Sequence, residues 1–227
     1  MEEKKLEQGA SRPVDTKKIS VLAMLSALAF AALAFRVPVV LFLKYDPKDI
    51  VITIGGFLYG PLAAFMVTAA VAFVEMITVS ETGFIGLLMN IIAGCSFACT
   101  ASFIYKKHRS LKGAVIGLVT AWLLTTAVMV MWNYLITPLY MKVPREQVVG
   151  LLLPAFIPFN LLKGGLNAAF TMLLYKPIKA ALTASRMMPP PAEGSEKASK
   201  FNVGVIIASV FVIVTCVLWV LVLQGVL

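Results

Sequence analysis

Lys163 stands inside an apolar run, 151–175, that is long enough to cross a bilayer. Asn160, Lys163 and Asn167 recur there at i, i+3 and i+7, so one helical face carries two amides and an ammonium. A charge at that depth is disfavoured by about 2.5–3.5 kcal/mol on insertion scales, and it faces a cavity, a partner or a substrate. The other polar groups inside apolar runs are Glu75, Asn90 and Asn133. An ammonium only donates hydrogen bonds, whereas an amide both donates and accepts. Such a set can converge on one polar pocket. Glu75 and Lys163 could instead act as acid and base, or pair with each other while the asparagines bond between helices.

Motifs for other chemistry are missing. The sequence has no Gly-x-x-x-x-Gly-Lys-Ser/Thr loop for nucleotide phosphates, no His-Glu-x-x-His and no Gly-x-Ser-x-Gly. His108, the single histidine, sits in a basic loop without a second metal ligand. Cys95 and Cys99, one helical turn apart, and Cys216 lie in apolar runs and read as small packed hydrophobes. A polar pocket without a motor points to a binding subunit driven by other proteins.

The elements that position these groups are membrane spans. The chain is 60% hydrophobic and 14% charged, with mean hydropathy +0.91, whereas globular domains are about 45–50% apolar and about 25% charged. Lipid must cover the surplus. The net charge of +9 comes from basic residues between apolar runs, which marks topology beside anionic lipid and not nucleic-acid binding. Residues 1–18 carry both signs of charge and read as a cytoplasmic tail before a retained first span.

The run at 50–79 is broken by Tyr59-Gly60-Pro61. Counted as one span, it leaves seven basic residues inside and twelve outside; divided at Pro61, it leaves fourteen inside and five outside. The positive-inside rule favours the division. The spans are then 19–35, 48–58, 62–79, 83–105, 113–140 and 150–175, with an uncharged seventh at 201–223 behind a proline-bearing linker, 184–200. A helix over 48–58 is about 16 Å long, too short for about 30 Å of hydrocarbon. The preceding segment, 37–49, is expected to dip into the membrane as a lid, since non-helical backbone is tolerated there only when buried or lining a cavity. Asp46-Pro47 is predicted to start the short helix, with Asp46 as its cap. The lid brings Leu43, Lys44, Tyr45, Asp46 and Asp49 to the level of Glu75, Asn133 and Lys163. Ala23, Ala27 and Ala31 form a smooth stripe on the first span, suited to close helix approach by a partner or within the bundle.

Five signatures carry a family resemblance. They are the alanine stripe, Leu43-Lys-Tyr-Asp-Pro-Lys-Asp49, Phe57-Leu-Tyr-Gly-Pro61, Trp132-Asn-Tyr-Leu-Ile-Thr-Pro-Leu-Tyr140 and Pro158-Phe-Asn-Leu-Leu-Lys-Gly-Gly-Leu-Asn167. Over residues 17–182 the chain resembles the substrate-binding (S) component of energy-coupling factor (ECF) vitamin transporters, most closely the riboflavin group. The resemblance implies an all-α membrane protein, residues 19–183 forming a six-helix bundle, with residues 201–227 an additional helix. It implies riboflavin as the transported ligand and no cofactor. It also implies a transmembrane coupling protein on the alanine stripe, two cytoplasmic ATPases, and a bacterial cell membrane with the N-terminus inside. Asn133 and Lys163 correspond to direct flavin ligands. The candidate ligand set is Leu43, Lys44, Tyr45, Asp46, Glu75, Asn90, Asn133, Tyr134, Asn160, Lys163 and Asn167. FMN or another vitamin, an intramembrane enzyme using Glu75 or Lys163, and a scaffold without ligand stand as alternatives.

Overall fold

The computed structural model describes residues 16–80, 82–187 and 203–223. Most of the 1–18 tail and of the 184–200 linker lies outside the described residues. Thr16–Lys18 already belong to the first helix.

Helix α1 (Thr16–Ala31) ends in a short 3-10 turn, Ala32–Phe35. A β-hairpin follows, β1 (Val37–Val40) paired antiparallel with β2 (Leu43–Tyr45). Then come α2 (Lys48–Tyr59), α3 (Pro61–Thr78), α4 (Gly83–Gly94) and α5 (Thr100–Lys107). A π turn, Cys95–Cys99, joins α4 to α5 in one rod. The long α6 is Leu111–Met141. Another π turn, Leu152–Phe156, joins α7 (Arg145–Leu151) to α8 (Ile157–Ala184). Last is α9 (Val203–Leu223). Among the described residues, six helical segments are long and apolar enough to cross a membrane. Their outward faces carry Phe65, Phe73, Ile77, Leu123 and Val214, all exposed in the isolated chain and so directed at lipid.

The predicted division at Pro61 is present. Gly60, at φ 95°, ends α2 and turns the chain into α3, with Pro61 opening the new helix. A side chain would strain that left-handed backbone. The 12 residues of α2 span about 18 Å, and all but Val51 and Tyr59 are buried. This short helix is thus the axis of the bundle, packed by α1, α3, α5 and α8.

The non-helical segment before α2 is a paired hairpin, which satisfies part of its own backbone. One expectation is corrected. Asp46 does not cap α2. The residue before the helix is Pro47, no side chain caps it, and the Asp46 carboxylate turns towards Lys163.

Candidate functional site

At the hairpin end of the bundle the helices part around a cavity of about 410 Å³. Small-molecule sites occupy about 300–1,000 Å³. The hairpin supplies Phe42, Leu43 and Lys44, with Asp46 just beyond it. Helices α2, α3 and α4 contribute Asp49, Glu75 and Asn90; α6 contributes Asn133, and α8 contributes Asn160, Lys163 and Asn167. Apolar patches lie between them, among them Met89, Phe97, Met129 and Phe159.

Two ion-pair clusters hold the walls. In one, Arg36 and Lys48 both donate to Glu75, with Lys48 Nζ 2.6 Å from Oε2. Lys48 also donates to Asn90 Oδ1 at 3.0 Å. This cluster ties the start of the hairpin segment to α2, α3 and α4. In the other, Lys163 Nζ lies 3.2 Å from Asp46 Oδ2 and 3.4 Å from Asp49 Oδ2. Asn167 Nδ2 donates to Asp49 at 3.5 Å, and the Tyr45 hydroxyl donates to Asn167 Oδ1 at 3.2 Å. The end of the hairpin is thereby tied to α8. Three cations face three anions, so the paired charges cancel.

The pairing of Glu75 with Lys163, one sequence-level reading, is absent: each has other partners of opposite charge. Asn133 and Asn160 do not bridge helices. Asn133 Nδ2 donates to Met129 O at 2.7 Å and its Oδ1 accepts from Thr137 at 2.9 Å; Asn160 Nδ2 donates to Phe156 O at 2.7 Å. These bonds to their own helix fix the amides while leaving capacity towards the cavity. The second Nδ2 hydrogen of each remains, and Lys163 has a third N–H. Asp46 Oδ1 and Thr125 Oγ1, on two cavity-lining residues, are buried without a hydrogen-bond partner. Such atoms ordinarily find one, so a polar ligand suits this wall.

Nine of the eleven predicted ligand residues therefore line one cavity. Tyr45 stands behind the wall, bonded to Asn167. Tyr134 does not reach the cavity; it is exposed, with the Arg145 guanidinium 5.1 Å from its ring. Arg36, Lys48 and Asp49 were missing from the predicted set. The signal was present: Glu75 within an apolar run required a cation, and Arg36 and Lys48 stand at the two ends of the lid segment. Ala23, Ala27 and Ala31 are all exposed, so internal packing does not account for the stripe. No cluster of metal-ligating side chains exists among the described residues. The cysteines are free, and Cys99 donates to Pro61 O at 3.5 Å.

A helical membrane bundle with a capped polar chamber at one end defines a substrate-capturing transport component. The sequence agrees: residues 17–175 match the family described as ECF transporter, substrate-specific component, and the chain belongs to that family. It is a transporter subunit, not an enzyme.

Named relatives narrow the comparison. The chain is 30% identical over 169 residues to the riboflavin transporter RibU of Staphylococcus aureus (strain TCH60), covering 70% of this chain and 89% of that protein. It is 31% identical over 180 residues to the riboflavin transporter RibU of Streptococcus thermophilus (strain ATCC BAA-250 / LMG 18311), covering 74% and 85%. The riboflavin transporter FmnP of Bacillus subtilis (strain 168) is 30% identical over 173 residues, covering 70% and 91%. A solved S component of a bacterial ECF transporter superposes with a TM-score of 0.63 at 30% identity, covering 73% of this chain and 97% of that one.

Proposed function

We propose that this chain binds riboflavin in the hairpin-capped chamber and delivers it for uptake. The observation that carries the reading is the pairing of a polar wall, Asn133, Asn160 and Lys163, with an apolar one, Phe42, Leu43 and Phe159, in one cavity of about 410 Å³. An isoalloxazine ring has the same division. Its carbonyls and imide match the spare donors and acceptors of the amides and ammonium, and its dimethylbenzene edge suits the apolar wall. Asp46 Oδ1 and Thr125 Oγ1 are then partners for ribityl hydroxyls. The three cations and three anions of the two clusters neutralise one another, which suits a neutral vitamin; a phosphate would have to be met by Lys44, which also lines the chamber.

The orientation follows from loop charge: the N-terminus and the basic 106–112 loop face the cytoplasm of a bacterial cell, and the hairpin faces out. The exposed alanine stripe is the contact for a membrane coupling protein, which joins the chain to two ATPases.

The test is quenching of riboflavin fluorescence by purified protein. Wild type quenches and FMN competes weakly. Lys163→Ala and Asn133→Ala each weaken binding at least tenfold, about 1.4 kcal/mol. Unchanged affinity in both variants removes the site. For the partner surface, Ala27→Trp is expected to leave binding intact and abolish uptake in cells supplying the coupling protein; normal uptake refutes that interface.

A further inference from the structure

Helix α9 lies beyond residues 17–175, the stretch that matches the family. It carries no charged residue. In lipid, an uncharged helix gains no hydrophobic advantage by leaving acyl chains for protein, so docking rests on close packing. Even so, α9 has a seam. Ser209 and Cys216 are buried, and Val212, Ile213 and Val220 are half-buried, all within one helical face; Phe211 and Leu218, on the opposite face, are exposed. A Cβ built on Gly165 of α8 would lie 3.5 Å from Cys216 Sγ, so any side chain longer than a methyl would meet the thiol.

The seam touches two elements. One is α8, through Phe159, Leu162 and Leu166; the other is β1 of the hairpin, through Val39 and Val40, with Leu43 and Tyr45 of β2 packed in the same cluster. The hairpin therefore has the chamber on one side and α9 on the other. Two strands alone are marginally stable; ion pairs tie this one at Arg36 and Asp46. Apolar packing, in which α9 takes part, adds to those ties. Tyr45 extends the connection inwards, because its hydroxyl fixes Asn167 in the chamber wall.

We propose that α9 is a positioning element of the lid: it braces the hairpin from the lipid side and sets how fast the chamber opens. Val212, Ile213 and Val220 are the positioning residues. Without the brace the hairpin departs more often, and ligand both enters and leaves faster.

The test uses full-length protein in lipid nanodiscs, comparing the triple variant Val212→Ala, Ile213→Ala, Val220→Ala with a control on the opposite face, Phe211→Ala, Leu218→Ala. Backbone hydrogen exchange over 37–45 is expected to quicken by about fivefold in the triple variant alone, with α2 and α5 unchanged. Riboflavin association and release are both expected to rise by about threefold, their ratio moving less than either rate. Unchanged exchange over 37–45, or acceleration spread evenly through the bundle, overturns the proposal, the second outcome marking a merely structural helix. Should the triple variant fail to fold, Ile213→Ala alone is judged by the same criteria. The rate measurement rests on the riboflavin reading, whereas hydrogen exchange does not. Wild-type protein that binds no flavin refutes that reading and leaves the brace to be decided by exchange.

Discussion

At the hairpin end, charged side chains surround a cavity; elsewhere in the bundle, Phe57, Tyr105 and Tyr175 fill the space between α2, α5 and α8. Phe57 stacks on Tyr105 at 4.4 Å between centroids and meets Tyr175 edge-on at 5.5 Å. The two tyrosine hydroxyls share a hydrogen bond of 3.0 Å. Gly56 lies so close to α3 and α5 that a Cβ there would sit 2.9 Å from Ala64 Cβ and collide with Ser102 Oγ. One half is hollow and tied by ion pairs, the other solid and tied by shape. The contrast teaches that the space for a ligand lies in one half of the bundle, where the hairpin, the end of α3 (Val79, Ser80) and the end of α6 (Tyr140, Met141) line it together.

Substitutions can break this contrast, in order of expected effect. Glu75→Leu leaves Arg36 and Lys48 without their shared counter-charge, and thermal unfolding in detergent is expected to register a loss of about 3–5 kcal/mol. An unchanged melting temperature would mean that the hollow half is not held by its charges. Gly56→Val overpacks the solid half and is expected to destabilise it by about 1–3 kcal/mol, with riboflavin affinity preserved in the protein that folds. Altered affinity there would show that the two halves are coupled. Tyr105→Phe removes a hydrogen bond while keeping the stacked ring; a loss of about 1 kcal/mol is expected, again without effect on binding.

Much of this division was legible in the residues. Gly60-Pro61 announced the break, and loop charge favoured the division there that the structure has. The Asn160, Lys163, Asn167 face followed from helical periodicity, and all three reach the cavity. What stayed illegible was azimuth. Hydropathy gives the depth of Glu75 but not the direction in which α3 turns it, so Lys48 and Arg36 could not be told from Lys163 as its partner. Asn133 and Tyr134 are neighbours in sequence, yet successive side chains on a helix point about 100° apart, and only the first meets the chamber. The hairpin was hidden for another reason. Its turn is Leu41-Phe42, with Leu41 at φ 51°, where a glycine or asparagine would have signalled the reversal.

The internal cancellation of charge has an electrical corollary. Moving one elementary charge through a membrane potential of 100 mV involves about 2.3 kcal/mol. Any displacement of the binding region across the bilayer carries Arg36, Lys48 and Lys163 together with Asp46, Asp49 and Glu75. The field does opposite work on the two sets. For a neutral cargo these paired groups therefore add almost no voltage dependence to such a displacement, in polarised and depolarised cells alike.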